Sequence, residues 1–418
     1  MNREKGLGRL LARLTGQRAL DRLAVIEEKV GAFGRAQREA LAAQARQLEA
    51  LQGAVPTRAS AASIRSLEQR VEALQRQARH QDHTVSEALE RARLLDDQGM
   101  DDRRFARRLE ELLRHERPVI IGPWTGEVGF ELIYWVPFVR WLLQTYRIPA
   151  ERLWVVSRGG TRSWYGDLAA HYVDAFEFVS PDSFRAATAA AKKQRRAGAF
   201  DAELVRRVAA THRLGRPDLL HPGMMYRLFM PYWKNLTSAT RVTERSVHAR
   251  LAPEDHPVVA RLPAEYVAAR FYFSDCFPDT PANRSFVAST IERISNQTPV
   301  VLLNTPFNVD DHHDVEPVGP RVMSVAAHMS PERNLAVQTA VIARARVFVG
   351  TYGGYSYLAP LCGVDALAFY SEGSFKTHHL QVAQQAFSTL GGSSLVSLDV
   401  ATAPLLGLAL SGSRGSAT

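Results

Sequence analysis

The stretch Ala345-Arg346-Val347-Phe348-Val349-Gly350-Thr351-Tyr352-Gly353-Gly354-Tyr355-Ser356-Tyr357-Leu358-Ala359-Pro360-Leu361-Cys362-Gly363 decides the fold. Val347 to Gly350 has the texture of a buried strand. Two glycines then turn the chain, and a helix begins that runs to Leu361. A helical stretch, Asn334 to Ala345, precedes it, and a strand, Ala366 to Tyr370, follows. Strand, turn, helix and strand in succession indicate an α/β domain with parallel strands.

Working outward, the same rhythm extends upstream. Tyr266 to Phe273, Val300 to Asn304 and Arg321 to Val325 read as strands, and Asn283 to Asn296 as a helix. An earlier unit repeats the pattern. Pro118 to Gly122 and Leu153 to Ser157 are strand-like, Phe130 to Tyr146 is helix-like, and Phe176 to Val179 is a candidate third strand. Residues 186–222 read as helical and basic, with Lys192-Lys193-Gln194-Arg195-Arg196 as a solvated face. His221 to Leu236 is dense in aromatic residues and suits a cleft lining or core. Two Rossmann-like lobes with a cleft between them are expected, 116–255 and 256–418.

Residues 1–115 differ. Ile64, Val71, Ala78, Val85 and Ala92 recur every seven positions, and Leu67, Leu74, Gln81, Ala88 and Leu95 follow three positions later. This is an a/d seam. It predicts a long coiled coil, either between chains as a homo-oligomer or as an intrachain hairpin, with a break at Pro56. The formal net charge is +9. The first 22 residues hold six Lys/Arg against two Asp/Glu, with Leu7, Leu10, Leu11 and Leu14 on one helical face. That end suits peripheral contact with an anionic membrane, or a solvated helix leading into the coiled coil. No nucleic-acid motif accompanies the basic excess. Cys276 and Cys362 form no disulfide framework or zinc pattern and suit plain packing. No apolar run is long enough to span a bilayer, and the start is a poor signal peptide. A cytoplasmic setting is expected.

Two loops carry candidate chemistry. Gly122-Pro123-Trp124-Thr125-Gly126-Glu127-Val128-Gly129-Phe130-Glu131 follows a strand and precedes a helix. It matches neither the P-loop nor the dinucleotide fingerprint. Glu127, at its apex, suits a general base that takes a hydroxyl proton, or a structural cap. Glu131 suits the helix dipole better than catalysis. The second loop, Thr351 to Ser356, offers unpaired N–H groups and positive dipole charge to a diphosphate. Gly353 and Gly354 permit close approach, and Thr351, Tyr352 and Ser356 add hydroxyl donors; a tight structural turn is the alternative. Arg270, charged within an apolar strand, suits a phosphate contact or an internal salt bridge. Glu372, after the last strand, suits a ribose contact or a surface turn. Asp310-Asp311-His312-His313-Asp314 has metal-ligand residue types, but adjacent loop residues make no defined site, and no metal is expected.

Residues 334–372 and the loop Trp124 to Gly129 resemble GT-B-fold glycosyltransferases, both the heptosyltransferase-like enzymes and some bacterial fucosyltransferases. Two short motifs carry the likeness. The first loop has Gly126-Glu127 where that family usually has Gly-Asp. The second has Thr351-Tyr352-Gly353 where Ser/Asp-Ser-Gly is typical. The coiled coil lies outside the pattern. The resemblance implies transfer of a sugar from a nucleotide-sugar to a hydroxyl on a glycan or lipid-linked acceptor, with Glu127 in the position of the family's base. It implies no cofactor. A non-catalytic coiled-coil scaffold with a degenerate binding module, and a pyruvyl-type transferase, are the competing expectations.

Overall fold

The computed structural model describes residues 102–402 apart from 169, 190–193, 308–312 and 374–376, together with positions 39, 46, 69, 72, 73 and 76. The seam residues of the expected coiled coil and the basic amino-terminal helix lie outside the described residues, while residues 102–114 of that region are helical.

The strands are β1 (Val119–Ile121), β2 (Leu153–Ser157), β3 (His171–Asp174), β4 (Asp218–Leu220), β5 (Val267–Arg270), β6 (Tyr272–Phe273), β7 (Val300–Leu302), β8 (His313–Asp314), β9 (Val322–Ser324), β10 (Val347–Thr351), β11 (Ala366–Tyr370) and β12 (Leu395–Asp399). The first sheet runs β3-β2-β1-β4 and the second β12-β11-β10-β5-β7-β9. Every pairing in these two sheets is parallel. A separate antiparallel pair joins β6 to β8. Setting that pair aside, the second sheet has the doubly wound order 3-2-1-4-5-6, and the first has its 3-2-1-4 portion. The order reverses between β1 and β4, and again between β5 and β10. Ligands bind beyond the carboxyl ends of strands at such reversals. Both sheets fall in one compact unit.

The helices that shape the site are α1 (Val128–Phe130), α2 (Val136–Tyr146), α3 (Arg162–Tyr165), α4 (Pro181–Thr188), α5 (Ala199–Thr211), α6 (Gly223–Trp233), α7 (Pro281–Ser295), α8 (Asn334–Ala343), α9 (Gly354–Leu361) and α10 (Thr377–Leu390). The helix expected from Phe130 to Tyr146 is not uniform. A π-helical turn, Glu131–Trp135, joins α1 to α2, and Val136 N donates to Glu131 O. Pro137 then has no N–H for the Ile133 carbonyl four residues back. His248 fills that gap, with Nε2 donating to Ile133 O at 3.1 Å. Burial pushes the His248 pKa down to about 4, so the ring is neutral and one nitrogen serves as donor.

Two expectations are corrected. The third strand is His171–Asp174, not 176–179. Asp174 Oδ1 accepts from Phe176 N at 3.0 Å, and Glu177 accepts from Asp174 N at 3.2 Å, which turns the chain into a short 3-10 segment. Residues 186–222 contain parts of α4 and all of α5, and then the strand β4. Residues 194–198 are not helical. No helix among the described residues is long and apolar enough to cross a membrane.

The core follows the sheets. Ile120, Val156, Val173, Leu204 and Val208 pack α5 on the first sheet. Val267, Ala269, Val300, Val349, Val287 and Ile291 pack α7 on the second.

Candidate active site

The loop after β1 is held from several directions. Gly122 N donates to Leu220 O, and Trp124 N to Val156 O, so β4 and β2 fix its entry. Gln194, buried, accepts from Thr125 N at 2.8 Å and donates to Pro123 O at 2.9 Å and to Asp201 Oδ1 at 3.2 Å. Asp201 in turn meets His221 Nε2 at 3.3 Å, while His221 Nδ1 accepts from Gly223 N. With both ring nitrogens engaged, His221 anchors the end of β4 and is not placed as a base. Arg158, buried after β2, donates through a terminal nitrogen to Gly126 O at 2.7 Å. The Trp124 ring lies between Trp135 (centroids 6.0 Å) and Tyr226 (6.2 Å), nearly parallel to both.

Glu127 emerges from this support. Its carbonyl starts α1, accepting from Glu131 N at 3.2 Å. Its side chain is exposed and makes no capping hydrogen bond. The nearby Tyr226 hydroxyl is buried without a protein partner. Its pKa is raised well above the usual value by burial and then by the Glu127 charge. Glu131, in contrast, is wholly buried. Its Oε1 accepts from Ser157 Oγ at 2.6 Å and Tyr165 OH at 2.8 Å. The helix-dipole role expected of it gives way to this buried network.

At the second reversal, β10 leads into α9. Thr351 Oγ1 accepts from Tyr272 N at 3.0 Å and donates to Tyr272 O at 2.9 Å. Ser356 Oγ accepts from Gly353 N and donates to Gly353 O at 2.7 Å. Each hydroxyl spends its one hydrogen within the lobe, so both shape the turn rather than act as donors to a ligand. Tyr352 is buried and bonds the Tyr357 hydroxyl. Gly353 has φ +155°, and a Cβ there would fall on the Tyr272 hydroxyl. A Cβ on Gly354 would lie 2.8 Å from Val128 Cγ1 and 2.9 Å from Gly129 N. The two glycine loops, 225 residues apart in sequence, are therefore packed against each other.

Arg270 ends β5 beside this turn and is 5% exposed. Asp314 grips it through Nε at 3.0 Å and a terminal nitrogen at 3.2 Å, and Gln338 accepts at 3.0 Å. Its guanidinium carbon lies 4.3 Å from the Tyr355 ring centroid, over the first turn of α9. Of the two sequence readings, the internal salt bridge describes its hydrogen bonds. Glu372 is exposed just beyond β11, with its N–H on Cys276 O. Asp310, Asp311 and His312 lie outside the described residues, and Asp314 is committed to Arg270. Among the described residues no cluster of three metal-ligand side chains occurs.

Further contacts join the lobes. Gly159 O accepts from Ala336 N at the start of α8, Trp164 Nε1 donates to Thr339 Oγ1 at 3.0 Å, and Tyr134 OH meets His379 Nδ1 at 2.8 Å. Gln194, Arg158 and Tyr226 escaped the sequence reading. Gln194 stood inside a basic run, and nothing local marks a single polar residue as buried.

No family model matches the chain, and no curated protein matches it. Among solved structures it is similar to a glycosyl transferase family 9 protein from Veillonella parvula, at 11% identity and TM-score 0.40, covering 71% of this chain and 89% of that one. It is similar to ADP-heptose lps heptosyltransferase II of E. coli, at 12% identity and TM-score 0.40, covering 68% and 90%. It is also similar to the iron-containing dodecameric glycosyltransferase TibC of enterotoxigenic E. coli, at 14% identity and TM-score 0.36, covering 61% and 58%. These likenesses are too distant for a role to pass from their residues to the residues here, and what the chain itself shows is an α/β protein with two parallel, doubly wound sheets.

Proposed function

We propose that this chain is a glycosyltransferase, moving a sugar from a nucleotide-diphosphate donor to a hydroxyl of a glycan or lipid-linked acceptor in cell-surface polysaccharide or glycoconjugate synthesis. The observation that carries the reading is the juxtaposition of two glycine loops. Each lies at the carboxyl end of a strand where the order of a parallel sheet reverses, and they face each other at Gly129 and Gly354. In this reading Glu127 takes the proton of the acceptor hydroxyl. The acceptor oxygen then bonds the sugar carbon as the bond from that carbon to the phosphate oxygen breaks. The nucleoside diphosphate leaves with the electron pair. The backbone N–H groups at Gly354–Ser356 receive its charge. Arg270 adds positive charge behind Tyr355, although Asp314 holds its hydrogen-bonding face. In this reading Glu372 accepts from a ribose hydroxyl. The donor enters when the contact of Gly354 with Val128 and Gly129 opens.

The test begins with calorimetric titration of GDP, UDP, ADP and CDP, followed by turnover of the matching nucleotide-sugars. One nucleoside diphosphate is expected to bind. Glu127→Gln is expected to lower turnover at least about a hundredfold, the scale of general-base catalysis, without loss of fold. Unchanged turnover removes Glu127 as the base. The competing reading, a non-catalytic binding module, draws on Asp314's hold on Arg270, and it predicts no affinity for any of the four nucleotides.

A further inference from the structure

We infer that Glu131 is a positioning residue for Glu127: its buried carboxylate charge holds Arg158, and Arg158 holds the Gly126 carbonyl that precedes Glu127. The inference rests on the reading of Glu127 as the base only for its catalytic consequence.

Glu131 Oε1 is occupied by Ser157 and Tyr165, while Oε2 is buried with no partner. Ser157 ends β2 and Arg158 follows directly, so one backbone segment connects the carboxylate to the guanidinium. Arg158 has its counterpart deficit: a terminal nitrogen bonds Gly126 O, whereas Nε is buried without a partner. Its guanidinium also lies 5.6 Å from the Phe184 ring centroid. A buried cation needs a nearby anion. Asp174 is one candidate, but its oxygens already serve Gly160 N, Phe176 N and Tyr172 OH. Glu131 has the unused oxygen.

The electrostatics agree. Burial raises the Glu131 pKa to about 7, and the Arg158 charge is the largest influence in the other direction, with Asp174 opposing it. The remaining titratable neighbours are tyrosines, Tyr165, Tyr172 and Tyr226, all with pKa values raised well above 10. Around neutral pH Glu131 and Asp174, whose pKa is raised to about 6, both change charge, and Glu131 is the one with a buried oxygen that no hydrogen bond occupies. The π-helical turn sets the geometry: it carries Glu131 inward four residues after Glu127 faces outward. Such turns recur at functional sites.

Hydrogen exchange of residues 122–130 tests this at pH 6 and pH 8, with rates corrected for intrinsic exchange. Wild-type loop amides are expected to exchange at least about tenfold faster at pH 6, where Glu131 is protonated. Glu131→Gln keeps the volume and an acceptor for Ser157 and Tyr165, removes the charge and puts an amide NH2 in place of Oε2. It is expected to exchange fast at both pH values, with β10 and β11 unaffected. Wild-type protection in Glu131→Gln at pH 8, or an unchanged pH dependence, overturns the inference. If that variant does not fold, Tyr165→Phe replaces it. Losing one donor to the carboxylate should move the midpoint of the loop transition to higher pH, and an unmoved midpoint overturns the inference. With an active donor in hand, Glu131→Gln should lower kcat with the donor KM unchanged, whereas Glu127→Gln should lower turnover at least about a hundredfold with loop protection intact. Loop protection that follows Glu131 in a protein that turns over no nucleotide-sugar sustains this inference and overturns the glycosyltransferase reading.

Discussion

Asp314→Ala isolates the energetics of the second reversal. Arg270 and Asp314 have side-chain exposures of 6% and 13%, and two nitrogens of the guanidinium face the two carboxylate oxygens. Removing one member of a buried pair leaves an uncompensated charge, at a cost of about 3–5 kcal/mol. Asp314 Oδ2 also accepts from Thr305 N at 2.9 Å, and losing that bond adds about 1 kcal/mol. Gln338 and the Tyr355 ring remain with Arg270 and offset a part of the loss. The expected destabilisation is therefore about 4 kcal/mol, a large share of the roughly 5–15 kcal/mol that holds a typical domain folded. The double variant Arg270→Met with Asp314→Leu removes both charges and fills the space with apolar atoms. It is expected to regain most of that loss, because the burial cost of both ions disappears with their attraction. Equilibrium urea unfolding of wild type, both single variants and the double variant gives the coupling energy directly. A cost below about 1 kcal/mol for Asp314→Ala, or a double variant as unstable as the sum of the singles, refutes the reasoning. Arg270 would then not be neutralised by Asp314 in solution.

Two further outcomes follow from the buried polar groups. Burial raises the pKa of Glu131 to about 7 and of Asp174 to about 6, against ordinary values of 4.5 and 3.8. The unfolded chain loses both protons near pH 4, while the folded chain keeps them until pH 6–7. Stability should therefore fall as pH rises through this window, with Glu131 contributing roughly 3 kcal/mol of the loss. The difference in unfolding midpoint between wild type and Glu131→Gln, followed from pH 4 to pH 8, measures it; a difference that does not change with pH removes the buried carboxylate as its source. Gln194→Ala strips partners from Thr125 N and Pro123 O, at about 1–3 kcal/mol for each group left unsatisfied. Urea unfolding should show a total of about 2–6 kcal/mol, and a loss below about 0.5 kcal/mol would mean that Gln194 does not secure the loop.

Legibility differed by element. Strands with continuous apolar character, such as Val347–Thr351 and Ala366–Tyr370, were read to within a residue, because burial on both faces leaves a composition that no surface segment shares. Asp218–Leu220 and Leu395–Asp399 were missed. Each carries an aspartate and lacks a continuous apolar run, and becomes a strand through pairing with a parallel neighbour. The stretch 176–179 has strand-like residues, but the Asp174 side chain captures Phe176 N and ends the strand first. The site divides in the same way. Glu127 and the Gly353-Gly354 turn were visible because turn residues between a strand and a helix leave a local mark. Gln194 and Arg158 were not visible, since their partners lie 69 and 32 residues away in sequence.

The amino-acid sequence by itself determined the α/β class, the two lobes and the glycine loops at their strand ends, because periodicity and turn chemistry act over a few neighbouring residues. Only the tertiary structure decided which polar groups are buried and paired and which are exposed. It turned the Thr351 and Ser356 hydroxyls inward, gave Arg270 to Asp314, and buried Glu131 beside Arg158 while leaving Glu127 exposed. Whether a charge is solvated, paired or stranded depends on what the rest of the chain folds around it.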